Sequence, residues 1–181
     1  MTARSSRLRS SAPILIASGS GGLTDPSAPP TIALVPSGKR QEFSVDARVR
    51  HFAAQDRFVN AVGIECVAAG PGTATVRMRV RADHLNFMGT CHGGAIFTLA
   101  DTAFGLASNS HGPVAAGIDA HVTYHLPVKL GEVLTATAAE VSRSRKLAVY
   151  RVDVTREDGA LTSVFTGTVY ISSRPNGVPA S

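Results

Sequence analysis

The stretch from Gly93 to Asn109 constrains this fold more than any other. It reads Gly-Gly-Ala-Ile-Phe-Thr-Leu-Ala-Asp-Thr-Ala-Phe-Gly-Leu-Ala-Ser-Asn, and Asp101 is its single charged residue. It has no two-residue alternation and no proline, so it predicts a helix. Apolar and small residues fall on nearly every side, the pattern of a helix enclosed by other elements. The rest of the chain must supply the enclosure, and Asp101 is expected to be sunk within it.

The flanking segments fit that role. In Thr73–Arg81, Ala74, Val76, Met78 and Val80 face one way, while Thr75, Arg77, Arg79 and Arg81 face the other. That is a half-buried antiparallel strand with its arginines in water. A short strand over 64–69 precedes it through the turn Gly70-Pro71-Gly72. Four further strand-like stretches, about 114–125, 131–142, 146–156 and 161–171, follow the helix, with Glu157-Asp158-Gly159 as a hairpin signal. Upstream, Val45, Val49, Phe52, Ala53, Phe58 and Val59 recur at helical spacing and predict one helix over about 45–60. The fold class expected is α+β, an antiparallel sheet wrapped around a long central helix.

Residues 1–42 read differently. They hold Pro13, Pro26, Pro29, Pro30, Pro36 and the run Ser18-Gly19-Ser20-Gly21-Gly22, which predicts a flexible Pro/Ser/Gly/Arg-rich extension. The folded domain is expected over 43–173, with a flexible tail over 174–181. The first 24 residues, rich in Arg and Ser and free of acids, share the composition of a transit peptide, although an unstructured start explains them as simply. The net charge is +5, but residues 1–42 carry five basic residues against two acids, so the remainder is nearly balanced. With no Trp and 6% aromatics, the chain is poorly equipped to stack on nucleic acid. No apolar run approaches the roughly 18–20 residues of a membrane span. Two cysteines, Cys66 and Cys91, make no disulfide framework and fit a reducing compartment, taken here as the cytoplasm.

The chemistry centres on the helix and its start. A buried, unpaired carboxylate costs several kcal/mol, so Asp101 asks for a reason. Cys91-His92-Gly93-Gly94 leads into the helix with two glycines, which permit close approach of a ligand to the backbone. The first N–H groups of a helix lack internal partners and sit at the positive end of the dipole, which suits a developing oxyanion. Gly93 and Asp101 are eight residues apart, about 12 Å at 1.5 Å per residue. They cannot meet one carbonyl carbon from a single chain. Two such helices running antiparallel across a two-fold axis can bring them together, so a catalytic reading demands a homodimer.

Other candidates fare worse. His121 and His125 have the spacing of a helical zinc pair, but their segment reads as a strand, where four residues span about 13 Å; no metal site is expected. Cys91 beside His92 reads as packing before nucleophile, and no Gly-x-Ser-x-Gly elbow occurs. The run Ser142-Arg143-Ser144-Arg145-Lys146 is either a solvated hairpin or a clamp for phosphates. Phe97 and Phe104 are candidate pocket or core residues.

The segment from His84 through Asn86, Cys91-His92-Gly93-Gly94 and Leu99-Ala-Asp101-Thr-Ala-Phe104 to Ser110 closely resembles the hot-dog-fold acyl-CoA thioesterases of the phenylacetate-degradation type. Looser likeness runs from about Phe43 to Ser172 and includes Gly63-Ile64-Glu65 and Tyr124-His-Leu-Pro127. The resemblance implies a hot-dog fold, a dimer-of-dimers assembly, and hydrolysis of acyl-CoA with phenylacetyl or hydroxyphenylacetyl as the acyl part. It implies Asp101 as the catalytic carboxylate, Gly93 as the residue whose N–H polarises the thioester carbonyl, and His92 and Asn86 as polar site positions. Asp101 then has two routes open, general base toward water or nucleophile forming a mixed anhydride. Arg143, Arg145 and Lys146 would take the phosphates of coenzyme A, which enters as substrate; no cofactor is called for. Two other readings stay open: a hot-dog dehydratase or hydratase using His92 with Asp101, and a non-catalytic acyl-CoA-binding protein. Release of a free thiol separates them from a thioesterase.

Overall fold

Where the sequence predicts one leading helix, the computed structural model, which describes residues 45–177, has two: α1 (Ala47–Gln55) and α2 (Arg57–Val62). Asp56 breaks them. Its backbone is extended, and its carboxylate accepts from the N–H groups of Phe58 and Val59 at 3.1 and 3.0 Å. A good capping residue thus starts a second helix instead of continuing the first. The expectations for residues 1–42 lie outside the described residues.

Then come β1 (Ile64–Gly70), β2 (Thr73–Arg79), the central helix α3 (Gly93–Asn109), β3 (Pro113–Tyr124), β4 (Val133–Arg143), β5 (Leu147–Arg156) and β6 (Leu161–Pro175). Every neighbouring pair is antiparallel, in the order β1-β2-β4-β5-β6-β3. The last strand runs past its predicted end at 171. Pro175 pairs with Pro113, and the Asn176 side chain donates to the Asn109 carbonyl at 2.9 Å. The described part of the 174–181 stretch is therefore tied to the sheet and to the end of α3.

The sheet curls around α3 because both surfaces are apolar and one is small. Ile96, Leu99, Ala100, Ala103, Phe104 and Ala107 of the helix are buried with Val76, Met78, Leu134, Tyr150, Val152 and Phe165 of the strands. Phe104 meets the Tyr150 and Phe165 rings at centroid distances of 5.6 and 5.4 Å, in tilted, edge-on geometry. A Cβ at Gly167 would come within 3.0 Å of the Phe104 ring, so glycine there makes the room that this large residue needs.

The enclosure is incomplete, which corrects the sequence expectation. Gly94, Thr98, Asp101, Thr102, Gly105 and Asn109 form one stripe along α3 that is not fully covered, and Asp101 itself is exposed in the single chain. Small residues and hydroxyls had masked this face, since they look neutral in a polarity pattern. β3 is also open: it pairs with β6 on one side only, and Ile118 on it is 61% exposed. An unpaired strand edge of this length is a template for another strand.

Candidate active site

Three of the expected site residues converge at the start of α3. A bridge between Leu85 and Cys91 closes the loop ahead of the helix, and the His92 N–H donates to the His84 carbonyl at 2.7 Å. Asn86 builds the loop. Its Oδ1 accepts from the N–H groups of Met88 and Thr90 at 2.9 and 3.2 Å, and its Nδ2 donates to the Thr90 hydroxyl at 3.0 Å. Gly89 takes the left-handed φ of 76° that closes the turn. The Asn86 amide is thus engaged within its own loop.

His92 caps α3. Its Nδ1 accepts from the Gly94 N–H at 2.8 Å, so Nδ1 carries no proton and Nε2 is the donor of the neutral ring. Gly93 is gripped from the other side, where the Tyr124 hydroxyl donates to its carbonyl at 2.9 Å. A Cβ on Gly93 would stand 3.2 Å from the Tyr124 ring, so any side chain there would have to push that ring back by a few tenths of an ångström. Among the described residues the Gly93 N–H has no acceptor. The first turn of α3 therefore keeps one donor at the positive end of the helix dipole.

Asp101 lies two turns further on and does not join this group within one chain. Partial burial pushes its carboxyl above the usual aspartate range. No described residue hydrogen-bonds to it. It borders a cavity of about 700 Å³ between α1, α2 and the open stripe of α3, whose walls include Phe52, Phe58, Phe97, Thr102 and Leu106. Asp56 is a second acid on this wall, but its carboxylate is occupied in capping α2. The Thr98 and Thr102 hydroxyls donate to helix carbonyls one turn back. Phe97 serves both roles considered for it, lining the cavity and packing on Phe165 at 5.6 Å; Phe104 belongs to the core.

The basic turn between β4 and β5 sits at the other end of α3. Leu147 pairs with Tyr170, Tyr170 with Ala116, and the neighbouring Ala115 is held by the Asn109 side chain. Tyr124, which holds Gly93, is at the opposite end of β3. Two of the three cations already have partners. Arg143 donates to Glu140 at 3.2 Å, on a carboxylate that also takes Tyr150 at 2.5 Å and His111 at 2.9 Å. The Lys146 ammonium donates to the Tyr170 hydroxyl at 3.2 Å and lies 5.2 Å from the centre of that ring. Arg145 is exposed and has no partner among the described residues.

Burial pushes the Cys91 thiol up to about 11, so it is protonated at neutral pH and packs rather than attacks. Sequence reasoning placed Tyr124 in the looser likeness but missed its hold on Gly93. The two are 31 positions apart, and no local spacing reports a contact made by strand and helix folding together.

Comparisons with known proteins bear on the fold and the family. The thioesterase superfamily profile matches residues 88–163. A putative esterase of Archaeoglobus fulgidus is 46% identical over 99 residues, 55% of this chain and 64% of that protein, so this chain spans just under two thirds of it. The acyl-coenzyme A thioesterase PaaI of Escherichia coli is 35% identical over 112 residues, 62% of this chain and 80% of that protein. The solved structure of the E. coli PaaI protein from the phenylacetic acid degradation operon aligns with a TM-score of 0.69 and 29% identity, covering 73% of this chain and 99% of that one. The structure of smu.793 from Streptococcus mutans bound to acetyl CoA aligns with a TM-score of 0.59 and 31% identity, covering 61% of this chain and 89% of that one. With its six-stranded antiparallel sheet curled on a long helix, the chain belongs to the PaaI-like hot-dog thioesterases, which are thioester hydrolases.

Proposed function

We propose that this protein hydrolyses acyl-CoA thioesters, with phenylacetyl or hydroxyphenylacetyl as the acyl group, in sites shared between two subunits. The observation that carries the reading is Asp101: an acid without a hydrogen-bond partner among the described residues, on an uncovered helix face beside a cavity. A relative named for acyl-coenzyme A hydrolysis and a neighbour that binds acetyl CoA support the substrate class.

In an antiparallel pair of α3 helices, Gly93 of the partner subunit comes level with Asp101. Its N–H, aided by the helix dipole, takes the carbonyl oxygen of the thioester and stabilises the charge that develops there. Asp101 either removes a proton from water, which then attacks the carbonyl carbon, or attacks that carbon itself. In both routes the C–S bond breaks and the thiolate of coenzyme A departs; in the second the acyl group is left on Asp101 as a mixed anhydride, which water then hydrolyses to release the acid and free the carboxylate. Raising the Asp101 carboxyl strengthens it as a base. The unpaired edge of β3 is where a second β3 would add, antiparallel, to continue the sheet. That pairing places the basic turn of one subunit level with the Gly93 end of the other. Arg145 is then the readiest cation for a phosphate, while Arg143 and Lys146 would have to leave Glu140 and Tyr170. We take the working assembly to be a dimer of dimers and the compartment to be the cytoplasm, as two free thiols suit.

The test is a panel of acyl-CoA substrates, aryl-acetyl against straight-chain, read by colorimetric release of free thiol. Arylacetyl-CoA turned over with the highest kcat/KM is expected. Thiol release from no member of the panel would overturn hydrolysis, and preference for straight chains would overturn the aryl assignment alone.

A further inference from the structure

The loop ahead of α3 presents two large apolar side chains to water. Phe87 is 97% exposed and Met88 69%. The backbone that carries them is tied down. Asn86 bonds to both Met88 and Thr90, its own N–H donates to the Thr90 carbonyl at 2.8 Å, and the Leu85–Cys91 bridge closes the base. A rigid turn that keeps a phenyl ring and a thioether in water contributes nothing to its own chain's core. It is built for contact.

A second surface is open in the complementary way. The cavity beside Asp101 runs along the stripe of α3 past Gly105, Leu106 and Asn109 to Val114. A Cβ at Gly105 would meet nothing within 4 Å, and Phe58 at the rim is 64% exposed.

We propose that Phe87 and Met88 of each subunit close the acyl cavity of the partner subunit, so that they are specificity-determining residues for a reaction whose carboxylate lies on the other chain. The proposal rests on the shared-site reading above. With the partner's Gly93 level with Asp101, the loop preceding it continues in the direction in which this chain's α3 runs toward Asn109. From the base at Cys91 to the tip at Met88 the loop advances three residues, about 10 Å at most. From Asp101, Gly105 is about 6 Å and Asn109 about 12 Å along the helix. The tip therefore lands over the part of the stripe where the cavity is uncovered. An acyl group held there lies between Phe52, Phe97 and Leu106 of one chain and the ring of the partner's Phe87.

The experiment compares kcat/KM for phenylacetyl-CoA or dodecanoyl-CoA, whichever is turned over faster, with that for acetyl-CoA. In the Phe87→Ala homodimer this ratio is expected to fall roughly tenfold or more, the scale of one lost apolar contact in a pocket, while Phe87→Tyr, which keeps the ring, retains it. Mixed dimers, purified through two different tags, then locate the effect. Wild type paired with a Phe87→Ala/Asp101→Asn chain keeps one working site, whose tip comes from the doubly changed chain, and it is expected to have the lowered ratio. Phe87→Ala paired with Asp101→Asn keeps one working site with an intact tip, and is expected to have the wild-type ratio. The reverse assignment, or a ratio unmoved in every combination, overturns the proposal. An Asp101→Asn homodimer with wild-type turnover overturns the shared-site reading itself and takes this proposal with it.

Discussion

Ionised Asp101 works against the fold. Its carboxyl is raised above the ordinary value of about 3.9 by desolvation, so the folded chain holds the proton more tightly than the unfolded one. Stability from this group is present below the unfolded value and lost as pH rises through the folded one. Asp101→Asn is therefore expected to keep or raise Tm at pH 7, with the difference closing toward pH 4, while kcat falls by about 10²–10⁴. Thermal unfolding and thiol release over a pH series check both halves; a variant that loses Tm and activity together would make Asp101 a structural residue. In the wild type, kcat/KM should decline on the acid side at a pH above the usual aspartate range. That Asp101 stands apart was legible in the sequence, because a lone charge in an apolar run is conspicuous. That it is exposed in a single chain was not, because Thr98, Thr102 and Gly105 give no polarity contrast to mark the open face.

At the level of elements, α3 depends on its first turn. The residue expected as a polar site position, His92, is also the cap that receives the Gly94 N–H. His92→Ala is expected to cost about 1 kcal/mol of stability, and His92→Ser, which restores a capping oxygen, much less. Denaturant unfolding measures this, and equal losses in the two variants would show that the ring rather than the cap is what the helix needs. Strand and helix order were readable from periodicity alone, since burial on one face writes period two and enclosure removes it. The break at Asp56 was not: a capping aspartate and a solvent-facing helical one look alike until Phe58 and Val59 turn their N–H groups toward it. The ends of β6 and the pairing of the cations were equally hidden. The strand end and Lys146 are decided by partners far away in sequence, Pro113 and Tyr170, and Arg143 by Glu140 three residues back, a carboxylate already drawn in by Tyr150 and His111.

For the whole molecule, the open edge of β3 and the open stripe of α3 both call for a second copy. Ile118, near the middle of that edge, would stand close to the two-fold axis. Ile118→Lys places like charges beside one another there and is expected to shift the protein toward monomer in light scattering after size exclusion. Activity should fall in proportion to the dimer lost. A monomer that retained turnover would contradict a shared site. That a shared site would demand a dimer follows from arithmetic on one helix, but the edge at which a second copy could pair emerges only once the strand order is known.

The two-turn separation on α3 also sets a threshold. On the shared-site proposal, a chain carrying both halves of a site too far apart to use them is idle until it meets its like, so output at low expression would rise with the square of the amount made. A cell producing a little of this protein would then obtain almost none of its chemistry, and an inactive allele co-expressed with a working one would dilute it without abolishing it.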